Sequence, residues 1–161
     1  MTEAPVIAIE DLPALLPKDA RLLGLDVGTK TVGLALSDVS RSIATPFDTI
    51  RRTKFTADAK IIRHIIEANK VGALIIGLPF NLDGSEGPRA QSTRAFARNL
   101  GSLIEVPIAF WDERLSTAAV ERHLLEADAT RKRRAEVIDR MAAAYILQGA
   151  LDRLRRLMQQ G

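Results

Sequence analysis

The sequence predicts an α/β domain whose mixed five-stranded sheet, with three antiparallel and two parallel strands, is flanked by helices. Three observations favour this class. Residues 31–37 alternate strictly between large apolar and small side chains, as in a strand with unlike faces. Residues 73–77 are continuously apolar, as in a strand buried on both faces. A helical pattern separates this strand from the apolar run 106–111, which indicates a strand–helix–strand unit with a right-handed crossover.

The composition is that of one folded domain. The chain has 161 residues, of which 47% are apolar and 27% charged, and both values lie near the globular average. A chain of this length usually forms a single domain. Three prolines interrupt the first 20 residues, and no Gly/Ser-rich linker or repeat divides the rest. We therefore expect an N-terminal extension over residues 1–20 and one domain over residues 21–161.

The first half of that domain predicts an antiparallel meander. Residues 21–26 form a short apolar run, and the alternating run 31–37 follows after a turn that contains a glycine. Two such runs around a short turn are typical of a β-hairpin. A third strand near residues 43–51 would complete the meander.

The second half predicts helices that alternate with strands. In order, the pattern indicates a helix over about 57–69, a strand over 73–77, a helix over about 89–104, a strand over 106–111, a helix capped by Ser116 that runs to about residue 127, and a long helix over about 135–159. The basic run 131–134 would precede the last helix.

The residue types exclude several classes of protein. The chain has no cysteine, which excludes disulfides, thiolate catalysis and cysteine-based zinc sites. Its two histidines, His64 and His123, are too far apart to suggest a metal-ligand pair. No apolar run reaches the ~20 residues of a membrane span, and the N-terminus is acidic where a signal peptide would be basic. We expect a soluble, cytoplasmic protein without a membrane partner, and its net charge of +3 permits an anionic one.

Three acidic residues stand out by their positions. Asp26 ends the first strand, and Glu113 follows the last strand. If the first strand is parallel to the strand at 73–77, both acids lie at the carboxyl edge of the sheet, where ligands bind in open α/β folds. Asp139 begins a helical stripe of small apolar residues that should face the sheet: Ala142, Ala143, Ile146 and Ala150.

Three carboxylates that meet without a histidine or a thiol favour a hard cation, Mg²⁺ or Mn²⁺. Two such ions ~3.5–4 Å apart can activate a water molecule and stabilise the leaving oxygen of a phosphodiester. Each acid also has a purely structural interpretation. Asp26 could belong to an ordinary turn, and Glu113 to the acidic first turn of a helix. Asp139 could pair with Arg140 or Lys132 near the start of a helix.

Four blocks in the sequence resemble one known family. They are LDVGTKTVGLALSD (25–38), IGLPFNLDGSEGPRAQ (76–91), DERLST (112–117) and VIDRMAA (137–143). In this order they resemble the YqgF/RuvX family of pre-16S rRNA nucleases, also named Holliday junction resolvases. Position 31, where a basic or hydroxyl residue is common, is Thr31, and Phe80 stands where an aliphatic residue is usual.

The resemblance implies an RNase H-like fold, metal-dependent cleavage of nucleic acid phosphodiesters and a role in maturing the 5′ end of 16S rRNA. The acidic positions of the family fall on Asp26, Glu113 and Asp139. These residues are therefore the expected catalytic residues and metal ligands.

Four further residues are candidates for substrate binding. Lys30, in the hairpin turn, and Arg114, beside Glu113, could neutralise phosphates. Asn81 and Arg89 belong to a loop that follows a buried strand, where a nucleic acid could pass. Solvated surface charges and an ordinary turn are the alternative interpretations.

The substrate and the oligomeric state stay open at this stage. RNA is favoured and branched DNA is the alternative; pre-ribosomal particles are a candidate partner, and the protein could be a monomer or a homodimer. A resolvase of four-way junctions would need two active sites, as in a dimer. An actin-like or sugar-kinase-like phosphotransferase shares the Asp-x-Gly-Thr motif but needs a longer chain. A ribosome-assembly or nucleic-acid-binding module without turnover is the non-enzyme alternative.

Overall fold

The computed structural model describes residues 6–115 and 131–160. Within them, one sheet contains the strands β1 (Val6–Ile7), β2 (Arg21–Val27), β3 (Thr31–Ser37), β4 (Ala44–Arg51), β5 (Val71–Leu78) and β6 (Ile108–Asp112). The α-helices of the same residues are α1 (Phe55–Ala68), α2 (Pro88–Gly101) and α3 (Arg131–Gln160). Short 3-10 turns lie at Ile9–Asp11 and Glu113–Leu115.

The order of the strands across the sheet is β1-β6-β5-β2-β3-β4. The pairs β2–β3 and β3–β4 are antiparallel, while β2–β5, β5–β6 and β1–β6 are parallel. The predicted meander and the mixed sheet are confirmed. The predicted count of five strands is wrong: Val6 and Ile7 pair with Ile108 and Ala109 and add a sixth. A two-residue strand is too short to show a period-2 pattern, so the sequence could not reveal it.

The two faces of the sheet bury different side chains. Val32 and Leu34 of β3 lie in an apolar layer that also contains Ile62 of α1 and Phe96 of α2. On the other face Ala35 packs in the layer that α3 covers. The small residues of β3 therefore face α3, because alternate residues of a strand point to opposite sides.

The helix α3 begins earlier than the sequence pattern predicts. Its first residue is Arg131, so the run 131–134 lies in the first turn of the helix and does not precede it. Arginine and lysine are good helix formers, which explains why the helix extends through the run. The predicted helix from Ser116 to about residue 127, His123 and the side chains of 131–134 lie outside the described residues. Within the parts described, no helix is both long and apolar enough to span a membrane.

The segment before β2 packs onto the sheet. Ile9 is buried and Leu12 is fully buried in the layer that α3 covers. β1 forms the outer edge of the sheet beside β6. These contacts attach residues 6–12 to both β6 and the α3 side of the core. The division at residue 20 stays a prediction.

We expect Leu12→Ala to reduce the free energy of unfolding by about 2–5 kcal/mol, the usual cost of replacing a buried leucine by alanine. Chemical denaturation followed by circular dichroism measures it. Leu15→Ala is the matched control, because Leu15 belongs to the same segment and is half exposed. Equal stability losses in the two variants would contradict the packing described for Leu12.

Candidate active site

Asp26 lies near the carboxyl end of β2, where the strand is paired on both sides. Only 4% of the residue is exposed. Its partner in the antiparallel ladder is Gly33. On the parallel side Leu25 pairs with Ile76, so the next residues, Asp26 and Gly77, lie side by side. Asp26 therefore has a glycine as its neighbour in each adjacent strand.

These two glycines bring the other two predicted acids next to Asp26. A Cβ atom on Gly33 would lie 2.0 Å from the main-chain oxygen of Asp139. A Cβ atom on Gly77 would lie 2.8 Å from Oε1 of Glu113. Adjacent strands are about 4.8 Å apart. Asp139 and Glu113 thus flank Asp26 from its two sides, each above one neighbouring strand.

Asp139, Asp26 and Glu113 form a row across β3, β2 and β5. Asp139 reaches this row because α3 packs closely on the sheet. The predicted stripe on the helix is fully buried: Ala142, Ala143, Ile146 and Ala150. A Cβ atom on Gly24 would lie 3.1 Å from the main-chain oxygen of Ala143, a second close approach of the helix backbone to β2. The side chain of Asp139 is held as well, since Thr31 Oγ1 donates a hydrogen bond to Asp139 Oδ2.

The three acids offer the donor chemistry of a hard divalent cation, because they supply carboxylate oxygens without an imidazole or a thiolate. A Cβ atom on residue 77 would crowd the Glu113 carboxylate, so Gly77 leaves room for that carboxylate beside Asp26. No group of three or more acidic or histidine side chains within 6–115 and 131–160 is arranged to hold one ion. The residues fit Mg²⁺ or Mn²⁺ by chemistry, and their closure around one ion stays a prediction.

Three of the predicted substrate-binding residues are exposed and follow β2 or β5 at the same edge of the sheet. Lys30 lies in the turn between β2 and β3, Asn81 in the loop after β5, and Arg89 in the first turn of α2. Arg89 lines a groove of about 230 Å³ together with Gly28 and Thr29, which precede Lys30. A negatively charged strand at this groove would meet Arg89 directly.

The loop after β5 is ordered by its own hydrogen bonds. Asn81 donates from its main chain to the carbonyl of Ser85 at 2.9 Å and from Nδ2 to the Ser85 hydroxyl at 3.0 Å. The Ser85 hydroxyl also donates to Asp83, and this bond is the main cause of a lowered pKa of the Asp83 carboxyl. Asn81 is thus a structural residue of the loop, whatever it contacts in a substrate.

Arg114 is engaged within the protein. Its Nη2 donates to Asp112 Oδ2 at 2.7 Å, and its guanidinium lies 5.1 Å from the centre of the Phe80 ring. Burial raises the pKa of Asp112, but the hydrogen bonds and charge of Arg114 outweigh it and lower that pKa overall. Arg114 therefore joins the end of β6 to the loop after β5. Contact of Arg114 with a substrate phosphate stays a prediction.

A known protein family matches most of this chain. The family model described as "RuvX: Holliday junction resolvase" matches residues 20–153. The chain belongs to the RuvX family. A family member from Paramagnetospirillum magneticum, named "Putative pre-16S rRNA nuclease", is 66% identical over 148 residues, which are 92% of this chain and 96% of that protein. A RuvX relative of the same name from Ruegeria pomeroyi is 62% identical and covers 92% of this chain and 97% of its own.

Solved structures confirm the RNase H-like fold of this RuvX chain. T. thermophilus RuvC in complex with a Holliday junction substrate is 12% identical, with a TM-score of 0.53, and covers 84% of this chain and 96% of its own. The yeast mitochondrial Holliday junction resolvase Ydc2 is 13% identical, also with a TM-score of 0.53, and covers 94% of this chain and 85% of its own. At these identities the likeness concerns the fold alone.

Sequence reasoning missed two residues that shape the site of this RuvX protein. Thr31 hydrogen-bonds to Asp139. Because Thr31 lies two residues before Gly33 on β3, it is on the face of the strand that is covered by α3. The period-2 pattern could therefore have identified it. Arg52 donates from Nη1 to the carbonyl of Gly28 at 2.5 Å and so supports the turn that carries Lys30. No pattern in the sequence pointed to Arg52, because it lies just after β4, outside any periodic run.

Proposed function

We propose that the chain is a metal-dependent nuclease that hydrolyses phosphodiester bonds in nucleic acid and that its substrate is the 5′ end of pre-16S rRNA. The observation that carries the proposal is the row Asp139–Asp26–Glu113 at the carboxyl edge of the sheet. Relatives named as pre-16S rRNA nucleases at 62–66% identity, each covered almost completely, support the choice of substrate.

The proposed roles follow from the positions of the side chains. Asp26, between the other two acids, would be the central metal ligand, and Glu113 and Asp139 would complete the ligand set from the two sides. Bound Mg²⁺ or Mn²⁺ would supply an activated water molecule and charge stabilisation for the leaving oxygen. Lys30, in the turn after β2, and Arg89, in the groove that Gly28 and Thr29 also line, would hold the phosphates of the strand. Asn81 and Arg114 would fix the neighbouring loop and contact the substrate from it.

A second candidate is the resolution of four-way DNA junctions. It is favoured by the description of the matching family and by a fold shared with two junction resolvases. We rank it second because those resolvases are only 12–13% identical, whereas the relatives above 60% identity are named for rRNA.

Cleavage of two substrates under one set of conditions separates the candidates. A precursor RNA that carries the 5′ leader of 16S rRNA and a synthetic four-way DNA junction are each incubated with the protein and Mg²⁺ or Mn²⁺, with EDTA as the control. We expect metal-dependent cleavage of the RNA. Cleavage of the junction alone would contradict the ranking, and no cleavage of either would favour a binding module without turnover.

Further parts of the proposal concern partners and location. An rRNA substrate makes pre-ribosomal particles the natural partner, and the cytoplasm the compartment in which the protein acts. A single row of acids can cleave one RNA strand, so a monomer suffices for the first candidate. A homodimer would be needed to cleave two strands of a junction in one complex.

We expect Gly77→Ala to reduce cleavage at least about 10-fold, because the new Cβ would lie 2.8 Å from the Glu113 carboxylate and displace it. The same Cβ would lie 2.5 Å from Ile146 Cδ1. Since both atoms end side chains that can move, the stability loss should stay near 1 kcal/mol. Initial cleavage rates and urea unfolding measure the two effects.

A second substitution separates these causes. Ile146→Val removes Cδ1, so we expect Gly77→Ala to cost less stability in the Ile146→Val background than in the unmodified protein. The double variant should be as inactive as Gly77→Ala. Ile146→Val by itself is the matched control for the change in the core. Recovery of cleavage in the double variant would show that the helix contact, and not the displaced Glu113, caused the loss.

A further inference from the structure

We infer that Thr31 is a positioning residue that orients the Asp139 carboxylate toward the divalent ion; the inference rests on the proposed function. Thr31 Oγ1 donates a hydrogen bond to Asp139 Oδ2 across a sequence separation of 108 residues. It is a bond between two elements, the first residue of β3 and the interior of α3. Its effect therefore depends on how firmly each end is held.

The Thr31 end is held by the backbone of the hairpin. The main-chain oxygen of Thr31 accepts a hydrogen bond from Gly28 at 2.9 Å, and Thr31 pairs with Arg51 of β4. Arg52, the next residue, donates from its main chain to the carbonyl of Lys30 at 2.8 Å. The main chain of Thr31 is consequently fixed, so the hydrogen bond to Asp139 restricts only the rotation of the Thr31 side chain.

The Asp139 end is held at its main chain by Gly33, two residues further along the same strand. The close approach of the Asp139 carbonyl to Gly33 sets the height of α3 above the sheet. It leaves the rotation of the Asp139 side chain undetermined. The Thr31 hydroxyl supplies that missing restraint, because a hydrogen bond to one carboxylate oxygen selects one orientation of the group.

The contact predicts an effect on metal binding that differs from an effect on folding. Partners that orient a metal ligand typically change metal affinity 10–100-fold when they are removed. Thr31→Val keeps the shape of the side chain and removes the donor, so we expect Mn²⁺ affinity to fall about 10-fold or more. Thr31→Ser keeps the donor and should bind Mn²⁺ within about threefold of the unmodified protein. Thr45→Val, the same chemical change on the exposed part of β4, is the matched control.

The experiment measures Mn²⁺ binding by titration calorimetry on the protein without nucleic acid. The Mn²⁺ concentration that gives half-maximal RNA cleavage and the midpoint of thermal unfolding are measured on the same samples. We expect Thr31→Val to shift both metal measurements together, and Thr31→Ser and Thr45→Val to leave them near the original values. If Thr31→Val does not fold, Thr31→Ala compared with Thr31→Ser isolates the hydroxyl.

The results distinguish this inference from the proposed function. Unchanged Mn²⁺ affinity in Thr31→Val, with normal binding and cleavage by the unmodified protein, would overturn the role of Thr31 alone. A thermal midpoint that falls while Mn²⁺ affinity does not would also overturn it, because the bond would then serve folding only. Absence of both Mn²⁺ binding and cleavage in the unmodified protein would overturn the proposed function, and the inference with it.

Discussion

Asp26→Asn is expected to reduce metal-dependent cleavage at least about 100-fold while the protein stays folded. Loss of a residue that only orients a ligand already costs 10–100-fold, and Asp26 is proposed as a ligand itself. It also lies between Glu113 and Asp139, so a metal ion held by either of these acids would lie next to the Asp26 carboxylate. Asparagine has nearly the same shape, and the side chain is only 4% exposed, so the packing around it should persist.

Single-turnover cleavage of the precursor RNA, Mn²⁺ titration calorimetry and thermal unfolding measure this outcome. Asp48→Asn is the matched control, because Asp48 is an exposed aspartate on β4 opposite Leu34. It should cleave at the original rate. Full cleavage by Asp26→Asn would instead show that Asp26 has a structural role and that cleavage does not depend on this row of acids.

Gly33→Ala should destabilise the protein by about 3 kcal/mol, the upper part of the usual range for an overpacked core. The new Cβ would lie 2.0 Å from the main-chain oxygen of Asp139, 2.3 Å from its carbonyl carbon and 2.9 Å from the nitrogen of Arg140. All three are backbone atoms, so no side-chain rotation relieves the contact and α3 must move away from β3. The movement would also carry Asp139 out of the row, and cleavage should fall with stability.

Urea unfolding followed by circular dichroism measures the loss of stability. Gly77→Ala is the informative comparison, because the three atoms nearest to its new Cβ belong to the side chains of Ile146 and Glu113. We expect the main effect of Gly33→Ala to be a loss of stability and the main effect of Gly77→Ala to be a loss of cleavage activity. A larger stability loss in Gly77→Ala than in Gly33→Ala would contradict these roles, in which Gly33 allows α3 to pack on the sheet and Gly77 leaves room for Glu113.

The strands and their faces were predictable because the signal is local. The alternation in residues 31–37 separates Val32 and Leu34 from Gly33 and Ala35, and the structure places these pairs in opposite layers. The stripe from Ala142 to Ala150 likewise predicted the buried face of α3. A period of 2 or 3.6 residues is a property of the chain itself, so a single sequence carries it.

Other features depend on which elements become neighbours. β1 escaped prediction because its two residues form a strand only through pairing with β6. The contacts of Arg114 with Asp112 and Phe80 depend on the loop after β5, which folds back toward the end of β6. Arg52 lies just after β4 and donates to the Gly28 carbonyl, 24 residues earlier in the chain, so this contact exists only once β4 and the turn after β2 are neighbours.

By itself the sequence determined the class of sheet, the faces of its strands and helices, and the three acids as the residues to examine. Only the tertiary structure decided that Asp26 has a glycine on each side, that Asp139 and Glu113 stand above those glycines, and that Thr31 holds Asp139. The physical reason is that periodicity assigns each side chain to one face of its own strand or helix. The distance between two elements that are far apart in the sequence is set instead by how closely their backbones can pack.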